Sequence, residues 1–414
     1  MGIVSCPFVC HSGNESLSHS NNHLNSDSAS LSSQPSLPTV PSLTSQSSTT
    51  QKTFNTNHQC ISTLKGHSSY VFSLTLSGKF LYSGSSDKEI RIWSRENLNP
   101  QQVHDQISMN NIVAIGNGAV KSVVVYGNKL FSAHQDHKIR VWLTENKDTH
   151  HQKYKKLATL PTLSDRLKKL VLPKNQIQVR RHHKCTWVHH VDAISGLALS
   201  IDGSLLYSVS WDRTFKIWRT SDFKCLESVG NAHDDAINAV ALSNDGLVYT
   251  GSADKKIKVW KKVAGEKKHS LMATLEKHKS AVNALALSSD GSTLYSGACD
   301  RSIVVWEKDG GGGTGMVVVG ALRGHTKAIL CLGIVSDLVF SGSADKTVRI
   351  WRRGVDNGYS CLAILEGHTG PVKCLTATVD HSNSTSSDGT SSYLVYSGSL
   401  DCEIKVWHIS VPFL

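Results

Sequence analysis

Short runs in which apolar and polar residues alternate recur along the chain from about residue 58 to its C-terminal end. The run at residues 88–93, for example, reads Lys-Glu-Ile-Arg-Ile-Trp. A period of two is typical of a β-strand that buries one face. The runs are separated by Gly, Ser, Asn and Asp, which favour tight turns. The pattern predicts an all-β domain built from many short strands.

The runs belong to a repeat in which a Trp follows an Asp by six positions. Seven such pairs occur: Asp87/Trp93, Asp136/Trp142, Asp212/Trp218, Asp254/Trp260, Asp300/Trp306, Asp345/Trp351 and Asp401/Trp407. Four positions before each Asp is a hydroxyl residue: Ser83, Ser132, Ser208, Thr250, Ser296, Ser341 and Ser397. We place the hydroxyl on one strand, the Asp in a hairpin turn and the Trp on the next strand. Seven equal spacings predict seven equivalent sheets.

Six of the seven repeats also carry a histidine ahead of the Asp, in three of them directly after a Gly. These residues are His67, His190, His233, His278, His325 and His368. The arrangement resembles the WD40-repeat family, which implies a single seven-bladed β-propeller with one His–Asp–hydroxyl–Trp network inside each blade. Buried polar groups need partners, so such a network makes physical sense. The second repeat has Gly-Asn-Gly at residues 116–118 instead of Gly-His, so we predict an incomplete network there.

The two ends of the repeat region suggest how the ring closes. Residues 1–57 are rich in Ser, Asn and Thr, and we predict a disordered tail before a propeller at 58–414. A short strand at residues 61–64 has no earlier blade to join, and the seventh repeat ends without an outer strand. We therefore expect the N-terminal strand to complete the last blade and to leave no sheet edge open.

Two insertions interrupt the repeats. Residues 143–184 hold eleven Lys or Arg and three acidic residues, so they carry +8 of the chain's net +11. Within this basic insertion (143–185), residues 163–170 predict a short amphipathic helix. It either receives an acidic partner, nucleic acid or an anionic membrane, or is a solvated loop whose leucines fold back onto the propeller. We expect it on the face opposite the Gly-His loops. A second, Ser-rich insertion (380–392) interrupts the last blade as a phosphorylation target or a tolerated loop.

Ser, His and Asp occur together in every blade, which raises the question of hydrolytic catalysis. Seven equivalent copies cannot form one active centre, so we interpret them as structural and expect no enzyme. The glycines at 310–313 are not followed by the Lys-Ser/Thr of a phosphate-binding loop. The His pairs lack metal-ligand spacing, and we expect neither metal nor cofactor.

Ten cysteines without a CxxC pair, and no long apolar run, favour an intracellular protein. We expect it in the cytoplasm and nucleus, as a monomer that binds proteins or peptides rather than nucleic acid. A membrane would be a partner only if Gly2, Cys6 or Cys10 carries a lipid.

Within the WD40 family, one long stretch is more specific. Residues 141–199, with Thr-Leu-Pro at 159–161 and Arg-Arg-His at 180–182, are similar to the plant JINGUBANG family, as are residues 210–212 and 232–236. That resemblance implies a non-enzymatic scaffold that regulates plant growth or pollen germination by binding signalling or transcription proteins.

Candidate partner-binding residues fall into two groups. On the face of the Gly-His loops and Asp turns they are Ser69, Asp192, Trp211, Asp235 and Lys327. On the basic insertion they are Lys155, Lys156, Lys168, Lys169, Arg180 and Arg181. Two alternative functions stay open: a substrate receptor of a cullin-type ubiquitin ligase, although the Trp-Asp-x-Arg motif is missing, and an RNA-associated adaptor that uses the basic insertion.

Overall fold

The computed structural model describes residues 40–44, 56–95, 111–145, 153–170, 176–180, 183–263, 265–310, 315–354, 357–380 and 390–412. These residues form seven four-stranded antiparallel sheets, one short hairpin and one helix. The predicted all-β, seven-bladed propeller is confirmed.

Every blade runs from an innermost to an outermost strand, and blades 1 to 7 are given in that order below. The innermost strands are β2 (Val71–Ser77), β6 (Val120–Tyr126), β12 (Ile194–Leu199), β16 (Ile237–Leu242), β20 (Val282–Leu287), β24 (Ile329–Val335) and β28 (Val372–Val379). The second strands are β3 (Phe80–Ser85), β7 (Lys129–His134), β13 (Leu205–Ser210), β17 (Leu247–Ser252), β21 (Thr293–Ala298), β25 (Leu338–Ser343) and β29 (Thr390–Ser399). The third strands are β4 (Glu89–Ser94), β8 (Ile139–Glu145), β14 (Phe215–Arg219), β18 (Lys256–Lys262), β22 (Ile303–Lys308), β26 (Val348–Arg353) and β30 (Ile404–Pro412). The outermost strands are β5 (Ile112–Ile115), β9 (Lys153–Leu160), β15 (Cys225–Val229), β19 (His269–Glu276), β23 (Met316–Leu322), β27 (Tyr359–Leu365) and β1 (Asn57–Leu64).

The apolar core lies between neighbouring sheets. Val209 and Ile217 of blade 3, for example, pack in one buried cluster with Val248 and Trp260 of blade 4. Because each sheet buries its faces against two neighbours, a blade is stable only within the ring.

Hydrogen bonds between innermost strands join every blade to the next. The bonded pairs, in order around the ring, are Ser73/Val123, Ser122/Leu197, Ser195/Ile237, Asn238/Val282, Asn283/Ile329, Cys331/Val372 and Cys374/Val71. In each pair a side chain of one strand bonds the backbone of the other. The last pair links blade 7 to blade 1, so the ring of innermost strands is closed.

The outer perimeter is closed by the N-terminal strand. Strand β1 pairs antiparallel with β30, from Asn57 opposite Ser410 to Leu64 opposite Ile404. Leu64 is 2% exposed and packs with Val71, Trp93 and Val406 in one cluster. The predicted closure by the N-terminal strand is therefore confirmed.

The predicted disordered tail needs a correction at its C-terminal end. Residues 40–44 lie against the outer strands of blades 5 and 6, where Leu43 N donates to Ala321 O and Tyr359 N donates to Leu43 O. Residues 1–39 and 45–55 lie outside the described residues. In the Ser-rich insertion, residues 381–389 also lie outside them, whereas residues 390–392 already belong to β29.

The basic insertion is placed differently from our expectation. Its residues 153–160 form β9, the outermost strand of blade 2, and only then does α1 (Leu163–Leu170) begin, followed by the hairpin of β10 (Gln176–Arg180) and β11 (His183–Thr186). Strand β9 ends with Leu160 opposite Ile139, which directly follows the Asp136 turn. The helix therefore starts on the same face as the Asp turns, and the expected opposite face is wrong.

Replacement of Leu64 by Ala should lower the free energy of unfolding of the whole propeller by about 2–4 kcal/mol, because it leaves a cavity in the closing blade. Unfolding by urea, followed by tryptophan fluorescence, should stay a single transition since the blades depend on one another. Gln59→Ala, at an exposed position of the same strand, is the matched control. A separate early transition of one blade would contradict the closed ring.

Candidate interaction face

Six blades contain the same hydrogen-bonded network. The His Nδ1 lies 2.7–3.0 Å from the Asp Oδ2, the His Nε2 lies 2.7–2.8 Å from the hydroxyl oxygen, and the Trp Nε1 donates to that oxygen over 2.8–3.0 Å. The members are His67, Ser83, Asp87 and Trp93; His190, Ser208, Asp212 and Trp218; His233, Thr250, Asp254 and Trp260; His278, Ser296, Asp300 and Trp306; His325, Ser341, Asp345 and Trp351; His368, Ser397, Asp401 and Trp407. A carboxylate only accepts, so Nδ1 carries the proton and Nε2 accepts from the hydroxyl.

The Asp side chain also shapes the turn that carries it. In blade 1, Asp87 Oδ2 accepts from Ser68 N over 3.1 Å and Asp87 Oδ1 accepts from Glu89 N over 2.9 Å. The residue after the Asp has a positive φ in all seven blades, 74° at Lys88. The carboxylate thus holds three parts of the blade in place: the histidine, the loop after the histidine, and the turn with its left-handed residue.

A further structural serine escaped the sequence analysis. It lies two positions before the Asp in five blades: Ser85, Ser210, Ser252, Ser343 and Ser399. In four of them its hydroxyl donates to a carbonyl of the histidine loop, as from Ser85 Oγ to Ser69 O over 3.0 Å. In each of the five blades its Oγ accepts from the Asp N. Comparison of the repeats at this one position would have revealed it.

In blade 2 the histidine of the network comes from this position, two residues before the Asp. His134 Nε2 lies 2.8 Å from Ser132 Oγ, which also accepts from Trp142 Nε1 over 3.0 Å. His134 Nδ1 lies 3.1 Å from the carbonyl of Gly118. Only the carboxylate is missing, since Asp136 binds Arg140 instead, over 3.0 and 2.5 Å. The prediction of an incomplete network is thus right for the Asp and wrong for the histidine.

Burial and charge keep the His134 ring neutral. Burial, together with the neighbouring Arg140 guanidinium, lowers the pKa of His134 to about 4. In the other networks burial opposes ionisation of the Asp most strongly, yet the histidine bond and the backbone N–H donors outweigh it and lower the pKa of Asp254 and Asp300 to about 2. These carboxylates already accept several hydrogen bonds, and their pKa values lie far below the value near 7 that suits a general base.

The predicted partner-binding residues of the loops lie together on the face that carries the Asp turns. The side chains of Asp192, Asp235 and Lys327 are exposed, whereas that of Ser69 is half-buried and its Oγ lies 2.6 Å from Ser86 Oγ. Trp211 is half-buried, with the Lys121 Nζ 5.5 Å from its ring centroid. Ser69 therefore belongs to the turn structure, and the other four remain candidate contacts.

In the structure, Trp211 belongs to a group with three further residues that were not among the candidates. Lys121 Nζ also lies 3.9 Å from the ring centroid of Phe72, and Tyr70, 48% exposed, contacts Phe72 edge-on. Tyr70, Phe72, Lys121 and Trp211 come from blades 1, 2 and 3, and we call them the aromatic–lysine cluster. Phe72 stands where blades 3 to 5 have Ser195, Asn238 and Asn283, which is the signal that sequence comparison of the blades could have used.

Several residues of the basic insertion are exposed at the outer edge of blade 2. Lys155, Lys156 and Leu157 are exposed on β9. In α1, Leu163 is 72% and Leu167 65% exposed, whereas Asp165 is buried and its Oδ2 accepts from Cys225 N on β15 over 2.8 Å. Of the two alternatives for the insertion, the one in which the leucines fold back onto the propeller is wrong for Leu163 and Leu167, because an outward N–H of an edge strand binds the acid instead. The side chains of Lys168, Lys169, Arg180 and Arg181 lie outside the described part of the chain.

A pocket of about 350 Å³ separates the helix from the Asp136 turn. His137, Lys138 and Arg166 line it together with His189, whose pKa burial and the Arg166 and Lys216 cations lower to about 4. The pocket therefore has a positive rim.

Comparison with known families agrees with this geometry. Six segments match the family model described as "WD40: WD domain, G-beta repeat": residues 58–94, 182–219, 223–261, 269–307, 316–352 and 359–408. They cover more than half of the chain. The chain belongs to the WD40-repeat family. Blade 2 lies outside the matched segments, in keeping with its different histidine.

Several WD40 relatives are similar over part of their length. The chain is 29% identical to "Protein ROOT INITIATION DEFECTIVE 3" of Arabidopsis thaliana over 40% of each chain. It is 27% identical to "Autophagy-related protein 16" of the same plant, over 46% of this chain and 36% of the relative. It is also 27% identical to "Ribosome biogenesis protein WDR12 homolog" of Drosophila persimilis, over 54% and 53%. The chain thus spans 36–53% of the length of these relatives.

The WD40 networks offer little for chemistry. His67, Asp87 and Glu89 have ligand atoms within 4.8 Å of one another, yet both ring nitrogens of His67 are hydrogen-bonded and Glu89 binds Arg91. Among the described residues, no helix is long and apolar enough to cross a membrane. WD40 propellers are generally interaction scaffolds without catalytic activity, and the saturated networks agree with that role.

Asp254→Asn should lower the free energy of unfolding by about 1–3 kcal/mol, because an amide cannot accept all the donors that surround this carboxylate. Asp235→Asn, at an exposed position of the same blade, should change stability by less than about 0.5 kcal/mol. Equal effects in urea unfolding would show that the network does not support the fold.

His134→Gln should make stability less sensitive to acid. Because the pKa of His134 falls from 6.5 to about 4 on folding, the unfolded state binds more protons, and stability is lost as pH falls through this range. Between pH 7.5 and 5 the wild-type protein should lose about 2 kcal/mol more than the variant. His137→Asn, at an exposed position with φ 64°, is the control, and its loss should match the wild type.

Proposed function

We propose that this WD40 propeller is a non-enzymatic scaffold that binds a regulatory protein through blades 1 to 3. The surface consists of the aromatic–lysine cluster, helix α1 and the exposed part of β9. In line with the similarity to the JINGUBANG family, the partner is a transcription or signalling protein, and the complex regulates plant growth or pollen germination in the cytoplasm and nucleus. The single observation that carries the proposal is the exposure of Leu163 and Leu167.

These two leucines lie four positions apart, so their side chains share one face of α1. An amphipathic helix on a propeller normally turns that face inward, but here Asp165 holds the inner side through its bond to Cys225 N. Burial of each leucine by a partner would contribute about 1.5–3 kcal/mol. An outward apolar face beside a fixed scaffold is typical of a binding site.

The charges around the leucines indicate the chemistry of the partner. Lys155 and Lys156 directly precede Leu157 on β9, and Arg166 lies between the two leucines in the sequence of the helix. Exposed cations around an apolar centre favour a partner segment with apolar side chains flanked by Asp or Glu. Association should then slow as the salt concentration rises.

The aromatic–lysine cluster extends the same surface towards the central channel. Aromatic side chains and cations at the centre of an interface account for much of the binding energy in protein complexes. Tyr70 is the most exposed member, and the Lys121 ammonium lies close to the rings of both Phe72 and Trp211. A partner that covers both areas contacts three consecutive blades.

Leu163→Ser combined with Leu167→Ser should weaken capture of the partner by about tenfold or more, while the fold is retained. The measurement is quantitative affinity purification from plant cells with the intact chain, followed by binding assays with each partner recovered. Leu271→Ser, an exposed leucine on β19 of blade 4, is the matched control. Recovery of the same partners in equal amounts by all three proteins would refute the proposal.

Lys121→Ala tests the cluster separately and should weaken capture of the same partners. Lys277→Ala, at an exposed position directly before His278 of blade 5, is its control and should leave capture unchanged. A deletion of the insertion must begin after Leu160, because β9 is a strand of blade 2.

A further inference from the structure

Residues 40–44 form a separate contact on the other side of the ring. The sequence there is Val-Pro-Ser-Leu-Thr, and it lies in the cleft between β23 of blade 5 and β27 of blade 6. We refer to residues 40–44 as the strap and to this site as the 5/6 cleft. The strap belongs to the same compact unit as the propeller, which begins at Val40.

The strap extends the sheet of blade 5 by main-chain hydrogen bonds. Leu43 N donates to Ala321 O and Ala321 N donates to Pro41 O, each over 2.9 Å, with Ser42 parallel to Ala321. It then crosses to blade 6, where Tyr359 N donates to Leu43 O over 2.8 Å. Addition of an extended segment to an exposed sheet edge is a general mode of peptide recognition.

Side chains fix the register of the strap. Val40 is 4% exposed, and Leu43 packs on the buried cluster that contains Tyr295 and Tyr359. Thr44 Oγ1 accepts from Arg323 N over 2.8 Å and donates to Arg323 O over 3.2 Å, so its hydroxyl replaces a main-chain pair. Arg323 Nη2 donates to the carbonyl of Val40 over 2.9 Å. The cleft thus contacts an apolar residue, a leucine and a hydroxyl at the fixed spacing of Val40, Leu43 and Thr44.

Gly320 shows that the cleft is shaped for a leucine. A Cβ at this position would lie 2.4 Å from Leu43 Cγ and 2.9 Å from Pro41 O. Glycine weakens a strand interior, and one in a strand often marks close approach of another backbone. Gly320 lies inside β23 for this reason, since only the lack of a side chain lets the strap reach the sheet edge.

We propose that the 5/6 cleft is a peptide-binding site for an extended segment of the pattern apolar–Pro–x–Leu–Thr, and that the strap is a detachable ligand that masks it. The partner is a peptide of that pattern in another protein, which competes with the strap for the cleft. Since the strap is tethered to the propeller, its effective concentration is on the order of mM, and free peptide binds only where the strap has left.

The test uses the full chain and a fluorescent peptide of residues 36–48. In the variant Val40→Asp/Leu43→Asp the two side chains that enter the cleft carry charges, so the strap is released. This variant should bind the peptide about tenfold or more tightly than the wild-type protein in fluorescence anisotropy. Adding Gly320→Val to it should abolish binding, because the new side chain fills the place of Leu43.

Matched peptides and a second measurement secure the result. A peptide with Asp in place of Leu43 should not bind, and one with Ala in place of Thr44 should bind several-fold more weakly. Equal affinity of the wild-type and double-variant proteins, or no binding to either, would overturn the proposal, and so would binding that survives Gly320→Val.

Amide hydrogen exchange on the wild-type chain decides the matter if the double variant does not fold. The proposal requires the Leu43 amide to be protected from exchange. It must also exchange faster than the amides of β23, because the strap detaches while the propeller stays folded. An unprotected Leu43 amide, or one that exchanges only with global unfolding, would refute a detachable ligand. A dimer that exchanges straps, seen by light scattering, would equally contradict binding within one chain.

Discussion

The ring depends on one shared hydroxyl in each blade. This oxygen accepts from the tryptophan indole and lies beside the histidine Nε2, so it joins the second strand, the third strand and the loop from the preceding blade. Each of these buried groups would destabilise the fold by about 1–3 kcal/mol if it had no hydrogen-bond partner. Blade 2 shows which part is indispensable: its histidine comes from another position and its Asp binds elsewhere, but Ser132 and Trp142 are unchanged. The hydroxyl–indole pair is therefore the constant element.

The same networks explain how far the sequence could predict the structure. Spacing alone located the seven Asp turns and the closing strand, because each is repeated or is required to complete a pattern. It could not reveal His134, since a histidine on a strand looks like any half-buried residue until the loop partner is known. It also misplaced the basic insertion, because residues 153–160 lack the strong apolar pattern of a strand and were counted as loop. The strap escaped for a related reason: five residues without a repeat partner carry no periodic signal.

Three blades use chain from elsewhere at their outer edge. Blade 7 takes β1 as its outermost strand, blade 3 satisfies an outward N–H with Asp165 of α1, and blade 5 receives the strap. All three devices bring in chain from outside the blade concerned, which is expected because open sheet edges invite unwanted pairing. They differ in what they show to solvent. Helix α1 presents Leu163, Arg166 and Leu167 outward, and the strap presents little more than Pro41 and Ser42.

The pairing of β1 with β30 has a consequence for biosynthesis. Thr63 and Lys405, which bond across this pair, are 342 positions apart in the chain. Strand β1 leaves the ribosome long before its partner β30 is made, and contacts so distant in sequence form slowly. Until then the nascent chain holds up to six blades with two open ends, a species with exposed apolar faces and unpaired strands. The pairing of β1 with β30 is therefore the step that joins the two open ends of the incomplete ring.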